Sequence, residues 1–222
     1  MSAQPLTISV RDGETVSGLF QAPADAYACL ALAHGAGVGM THRSMAALAD
    51  GLAELGVATL RYQFPYMEQG RKRPDSPALA QATVRAAVAA ALERAEGLPL
   101  FAGGRSFGGR MTSQAQAQAP LEGVRGLVFF AFPLHLAGKP SVERAAHLAD
   151  VHVPMLFVQG TRDTLADLSL LQGVVQDLGP RATLELVPDA DHAFHVPAKS
   201  GRKDPEVMAE ALAAVAAWIA RY

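Results

Sequence analysis

Two kinds of apolar run alternate along this chain. Short continuous runs at Ala28–Ala33, Val57–Tyr62, Leu98–Ala102, Gly126–Phe132, Val153–Gln159 and Ala182–Val187 are bounded by glycine, proline and polar residues. Continuous apolar runs of this length suit strands buried on both faces, as in a parallel sheet. Between them lie longer, helix-periodic segments. Met45, Leu48, Leu52 and Leu55 share one face of the first, which closes at Gly56. Ser76-Pro77 starts the second, with serine as N-cap and proline in the first helical turn, and its alanine-rich body runs to Glu96. Phe107–Ala117 and Leu165–Leu178 follow. Asp204-Pro205-Glu206 opens a last helix with Met208, Leu212, Val215 and Ile219 on one stripe.

Strand alternating with helix predicts an α/β fold of three layers, a mainly parallel sheet with helices on both faces. Leu6–Val10 and Val16–Gln21, joined by a turn at Asp12-Gly13 with no helix between them, predict an antiparallel entry. No repeat, linker or low-complexity tract divides residues 1–222, so a single domain is expected. The stretch from Pro133 to His152 is too short for a large cap domain. The composition agrees with a compact protein: 222 residues, 50% hydrophobic and 18% charged.

A net charge of −2 gives no field to recruit nucleic acid or an anionic membrane. No apolar segment is long enough for a membrane span and no leader is visible, which predicts a soluble cytoplasmic protein. The single cysteine, Cys29, lies in an apolar run and reads as a small buried hydrophobe.

Chemistry concentrates at the run Gly103-Gly104-Arg105-Ser106-Phe107-Gly108-Gly109. Gly104-x-Ser106-x-Gly108 between a strand and a helix is the pattern of a nucleophile elbow, a tight turn that lifts one serine into solvent. A serine hydroxyl needs a neutral imidazole to take its proton, and the imidazole needs a carboxylate to fix its tautomer. Ligands in such sheets bind beyond the carboxyl ends of the strands. Residues just past predicted strands supply both partners, Asp163 and then His192, giving the order serine, aspartate, histidine. The backbone N–H groups of Phe107 and of Ala36 and Gly37, in the loop His34-Gly35-Ala36-Gly37, are placed to stabilise an oxyanion.

Alternatives remain at each position. Asp163 could instead cap the helix after it. His195 is a rival base, and Asp189 and Asp191 are rival acids. His34 suits orienting its loop better than transferring protons. His42, His135, His147 and His152 read as surface or structural, His135 least securely because it follows a strand end. Arg105 and Arg110 flank the elbow and suit local ion pairs better than substrate contact. Arg71-Lys72-Arg73 reads as a solvated loop. A dinucleotide loop fails because Gly35-x-Gly37 is followed by Met40, and a phosphate loop from Gly103 meets Gly109 where lysine is required.

The same motifs carry a family resemblance. His34–Gly37, Phe64-Pro65-Tyr66-Met67 with Arg71 and Pro74-Asp75, Gly103–Arg110, Phe132-Pro133-Leu134-His135 with Gly138-Lys139-Pro140, Gln159–Asp163 and Ala190-Asp191-His192 resemble a small, lidless α/β-hydrolase group. That group is related to testis-expressed hydrolase-like proteins and, more distantly, to dienelactone hydrolases, which usually place cysteine at the elbow. The resemblance implies nucleophile Ser106, acid Asp163 and base His192. The expected function is that of a serine esterase or thioesterase working through an acyl-enzyme on a small-molecule acyl substrate, without metal or organic cofactor. Phe64, Tyr66, Met67 and Phe132 would line an apolar acyl pocket or else pack in the core. A related domain in a chromatin-complex subunit leaves a non-catalytic interaction module as the alternative, and amide or peptide hydrolysis as another.

Overall fold

The computed structural model describes residues 2–11 and 13–222. Eight strands form one sheet in the order β1-β2-β4-β3-β5-β6-β7-β8. They are β1 Gln4–Arg11, β2 Glu14–Gln21, β3 Ala28–Ala33, β4 Val57–Tyr62, β5 Leu100–Arg105, β6 Val124–Phe130, β7 Met155–Gly160 and β8 Ala182–Val187. β1, β2 and β4 pair antiparallel, and all pairs from β4 through β8 are parallel. The expected entry hairpin is therefore present, although Asp12 of its turn lies outside the described residues. Every residue of β3, β4 and β7 is buried, as their unbroken apolar runs require.

Six α-helices lie among the described residues: α1 Arg43–Glu54, α2 Pro65–Glu68, α3 Pro77–Arg94, α4 Phe107–Gln118 and α5 Leu168–Leu178 between strands, and α6 Asp204–Ile219 after the last one. They divide the core in two. α3 and α4 cover one face, with Val84, Val88 and Met111 against Leu60, Leu127 and Phe129. α1 and α6 cover the other, with Met45, Leu48, Leu212 and Trp218 against Leu30, Leu32 and Phe101. No described helix is long and apolar enough to cross a membrane.

Several boundaries differ from the expectation for identifiable reasons. β5 runs three residues beyond Ala102, through the two glycines, because a side chain at Gly104 would sit 2.5 Å from the Ala33 carbonyl of β3. β6 stops at Phe130, since Ala131 adopts φ 55° and breaks the ladder. α5 starts at Leu168 rather than Leu165, capped by the Asp167 carboxylate on the Leu170 N–H. Asp163 is thus not its cap. Leu55 falls past the end of α1 and is 38% exposed instead of joining the apolar face. The loop after β4 contains α2, and the stretch after β6 holds a 3-10 segment, Glu143–Asp150, packed on α4.

Candidate active site

Sequence-distant loops meet at the carboxyl edge of the parallel strands because glycines let them approach. At the end of β5, Ser106 takes φ 51° and ψ −116°, a strained turn for a residue with a side chain. Its N–H donates to Phe130 O at 2.9 Å, and α4 begins at the next residue. A Cβ on Gly108 would stand 2.5 Å from His34 O, so only glycine lets α4 leave the turn against β3. Gly35 packs on the other side, where a Cβ would reach 3.7 Å from Ser106 Cβ. Ser106 is left partly exposed.

A second close approach joins the loops after β7 and β8. A side chain at Gly160 would collide with Ala190 O, and the Arg162 N–H donates to that same carbonyl at 2.9 Å. Asp163 and His192 are brought together as a result. His192 Nδ1 lies 2.7 Å from Asp163 Oδ2, and His192 Nε2 lies 2.8 Å from Ser106 Oγ. The carboxylate can only accept, so Nδ1 carries the proton and a neutral ring offers Nε2 to the serine hydroxyl. Asp163 is fixed further by Gln159 Nε2 at 2.6 Å and by the Leu165 N–H at 2.8 Å. Gln159 was not singled out as a site residue in the sequence. Its signal was position: a polar residue, wholly buried, at the end of an otherwise apolar strand.

The remaining candidates are placed elsewhere. His195 pairs with Asp204 on the surface, and the hydrogen bond to Asp204 raises its pKa. Asp191 accepts from the N–H groups of Ala193 and His195, which shapes the loop carrying His192. Asp189 takes φ 62° and donates its N–H to Thr161 Oγ1.

His34 accepts the Phe64 N–H on Nε2 at 3.0 Å and donates from Nδ1 to Gly35 O at 2.8 Å. Both ring nitrogens are thus used on backbone. Burial lowers its pKa to about 4, so the ring stays neutral. His135 repeats the device, accepting the Asp167 N–H on Nε2 at 2.7 Å and facing Leu136 O from Nδ1 at 2.8 Å. His147 Nε2 lies 2.7 Å from Ser113 Oγ, but that hydroxyl donates to Arg110 O and is buried in α4. His42 caps α1, and His152 is exposed. Burial pushes the Cys29 thiol up to about 12, which keeps it an inert apolar group.

Ala36 and Gly37 are exposed at the mouth of the site. Among the described residues the N–H groups of Ala36 and Phe107 meet no backbone acceptor, and that of Gly37 lies toward the Tyr66 hydroxyl. The four aromatic and apolar pocket candidates follow the core alternative. Phe132 packs edge-on against Phe129 and Phe157, and Phe64 against His34 and Phe107. Phe64, Tyr66 and Phe132 have no exposed surface, and only Met67 is partly open. The expected ion pairs at the elbow are not formed either. Arg105 donates to Ser44 Oγ at 2.9 Å, and neither Arg105 nor Arg110 has a carboxylate within salt-bridge distance among the described residues. Arg71 does pair, with Asp75 at 2.8 Å, beside the exposed Lys72 and Arg73. No described group of three or more His, Cys, Asp or Glu residues is arranged to hold a metal ion.

A family model for the alpha/beta hydrolase domain matches residues 26–220. The chain belongs to the alpha/beta hydrolase family. Solved structures of similar fold include a dienelactone hydrolase from Anabaena variabilis, 20% identical, covering 100% of this chain and 99% of that one with a TM-score of 0.76. XC6422 from Xanthomonas campestris, described as an α/β serine hydrolase without lid, is 23% identical over 98% of this chain and 95% of its own, with a TM-score of 0.74. The esterase domain of a Rhodothermus marinus protein is 15% identical, covering 100% and 99%, with a TM-score of 0.73. These likenesses show a shared fold.

Proposed function

We propose that this family member is a serine hydrolase that cleaves a carboxylic ester or thioester through Ser106, His192 and Asp163. The observation that carries the reading is the unbroken hydrogen-bond chain from Ser106 Oγ through the His192 ring to the buried Asp163 carboxylate. His192 Nε2 takes the hydroxyl proton as Oγ bonds to the substrate carbonyl carbon. Asp163 holds the ring and stabilises the imidazolium that forms. The N–H groups of Phe107 and of Ala36 or Gly37 stabilise the charge that develops on the carbonyl oxygen. Collapse breaks the bond to the leaving alkoxide or thiolate, which takes the proton from Nε2 and leaves an acyl group on Ser106. Water then attacks that acyl carbon, gives its proton to Nε2, and the Ser106 oxygen leaves with that proton as the acid departs.

An ester as the scissile group also agrees with the fold neighbours named as an esterase domain and a dienelactone hydrolase. A fluorophosphonate probe tests the nucleophile directly. Wild type should label stoichiometrically at Ser106 and Ser106→Ala should not label. Folded wild type that stays unlabelled would overturn the reading. A series of p-nitrophenyl esters and matching thioesters of graded length then reads the preferred acyl group.

A further inference from the structure

α1 and α6 lie side by side on one face of the sheet. They meet at Gly51, where a Cβ would stand 2.4 Å from Leu212 Cδ1. Beside that contact lies a groove of about 600 Å³. Leu55 of α1 and Met208 and Leu212 of α6 give it apolar walls, and the exposed Ala47 and Ala209 line it from opposite helices. The exposed Leu55 is thus part of a groove and not an isolated apolar residue. A space of this size falls among the pockets that hold small organic ligands, about 300–1,000 Å³. Ala193 and Phe194, from the loop that carries His192, also line it. Phe194 takes φ 61°, a strained backbone for a bulky side chain. Its N–H donates to Asp191 O at 3.0 Å, closing the turn around His192.

The groove has charge of one sign. Among the described residues that line it, the ionised ones are Asp50 and Glu54 of α1 and Asp204 at the start of α6, with no lysine or arginine. Asp204 is engaged by His195. Asp50 accepts from the neutral Gln21 amide at 2.8 Å, and among the described residues neither Asp50 nor Glu54 forms an ion pair. These two carboxylates are exposed and stand one turn apart on the same helix, where like charges repel. Glu54 is also the last residue of α1, whose final carbonyls carry partial negative charge with no basic residue in that turn. A cation at this end of the groove relieves both.

We infer that the groove between α1 and α6 is a second ligand site, which takes a small apolar molecule carrying an ammonium group. The apolar part packs on Leu55, Met208 and Leu212, and the ammonium settles at Asp50 and Glu54. Apolar contact supplies most of the affinity, and the carboxylates supply the choice of charge, since each exposed ion pair contributes little. A ligand packed against Phe194 also braces the turn that carries His192, so its binding stabilises the fold beside the triad. The site does not depend on Ser106 being the nucleophile.

Three probes on one skeleton test it: 4-phenylbutylammonium, 4-phenylbutan-1-ol and 4-phenylbutanoate. Calorimetric titration of the full chain at neutral pH should show the ammonium bound with a Kd on the order of 0.1–1 mM. It should bind about fivefold to tenfold tighter than the alcohol, and the carboxylate more weakly than either. Tm should rise with ammonium concentration. Ala47→Trp and Ala209→Trp fill the groove from opposite walls, and each should abolish binding of ammonium and alcohol alike. Asp50→Asn combined with Glu54→Gln should bring the ammonium to the level of the alcohol, as should raising salt from about 20 to 500 mM. Ammonium binding that survives in both tryptophan variants, or carboxylate binding as tight as ammonium binding, would overturn the site. So would competitive inhibition of p-nitrophenyl acetate hydrolysis with a constant equal to the Kd, since it would place the amine at Ser106. Charge-selective binding in folded protein that does not label with the fluorophosphonate would overturn the hydrolase reading and leave the groove standing.

Discussion

Two histidine–aspartate pairs stand side by side in this molecule, and their hydrogen-bond lengths barely distinguish them. His192 and Asp163 are 2.7 Å apart, and His195 and Asp204 are 2.9 Å apart. Their surroundings differ sharply. The Asp163 side chain has no exposed surface and that of His192 is 26% exposed, against 51% and 63% in the other pair. Asp163 is held by two further donors, and the free nitrogen of His192 meets a serine. Asp204 receives one further N–H, from Val196, and His195 Nε2 meets no protein partner among the described residues. A contact between imidazole and carboxylate therefore says little. What sets the inner pair apart is a dry, fixed carboxylate on one side and a serine hydroxyl on the other.

The largest break in that comparison comes from the acid. Asp163→Asn keeps the shape but presents an amide where a carboxylate is needed, which favours the wrong tautomer. Turnover should fall by about four orders of magnitude, measured as kcat on the best p-nitrophenyl ester. A loss below tenfold would mean that the buried pair is no more catalytic than the exposed one. Gln159→Leu is a subtler cut. It removes a donor that fixes Asp163 and keeps the apolar volume similar. Hydrogen bonds to charged groups contribute about 1.5–3 kcal/mol, so kcat should drop by about ten- to a hundredfold. Labelling of Ser106 by the fluorophosphonate should slow in parallel, and an unchanged rate would remove Gln159 from the positioning of the acid.

His34 sharpens the contrast from another side, as a buried ring held by backbone and not by a carboxylate. Its folded pKa is near 4 against an ordinary 6.5. At neutral pH both folded and unfolded states leave it uncharged. As pH falls below 6.5 the unfolded chain takes up a proton that the folded chain refuses. Stability therefore declines from pH 6.5 down to about 4, by about 3 kcal/mol at most from this group. Urea unfolding at pH 7.5, 6 and 5 should show the decline, and His34→Gln should flatten it. A slope that persists unchanged in the variant would assign the decline to other groups, His147 first.

How much of this was legible beforehand follows from what each feature depends on. The strand–helix alternation and the elbow are written in local pattern, so the sheet and Ser106 could be read from the chain. Asp163 and His192 were readable from strand ends because the fold delivers those ends to one edge. His195 stayed a rival to His192 in the sequence, because what parts them is Asp191 shaping the loop and Gly160 admitting it, both tertiary facts. The fate of Phe132 was equally hidden. Ala131 at positive φ turns the chain, and the ring then packs on Phe129 and Phe157 with no exposed surface. Apolar type alone does not tell a pocket wall from a core residue.

The smallest expected effect tests the exposed pair itself. The hydrogen bond from His195 Nδ1 to the Asp204 carboxylate raises the His195 pKa, so the pair favours the protonated ring. Whatever the pair contributes to folding is present at acid pH and lost as pH rises through that elevated pKa. Solvent and salt screen it, as they do most surface ion pairs. His195→Ala should therefore change kcat/KM by no more than about twofold and leave the urea midpoint near its wild-type value at pH 8. Near-complete inactivation would exchange the roles of the two histidines. The discriminating point is that the Asp204 carboxylate raises the His195 pKa while His195 meets no serine hydroxyl, so a raised imidazole pKa does not by itself mark a general base.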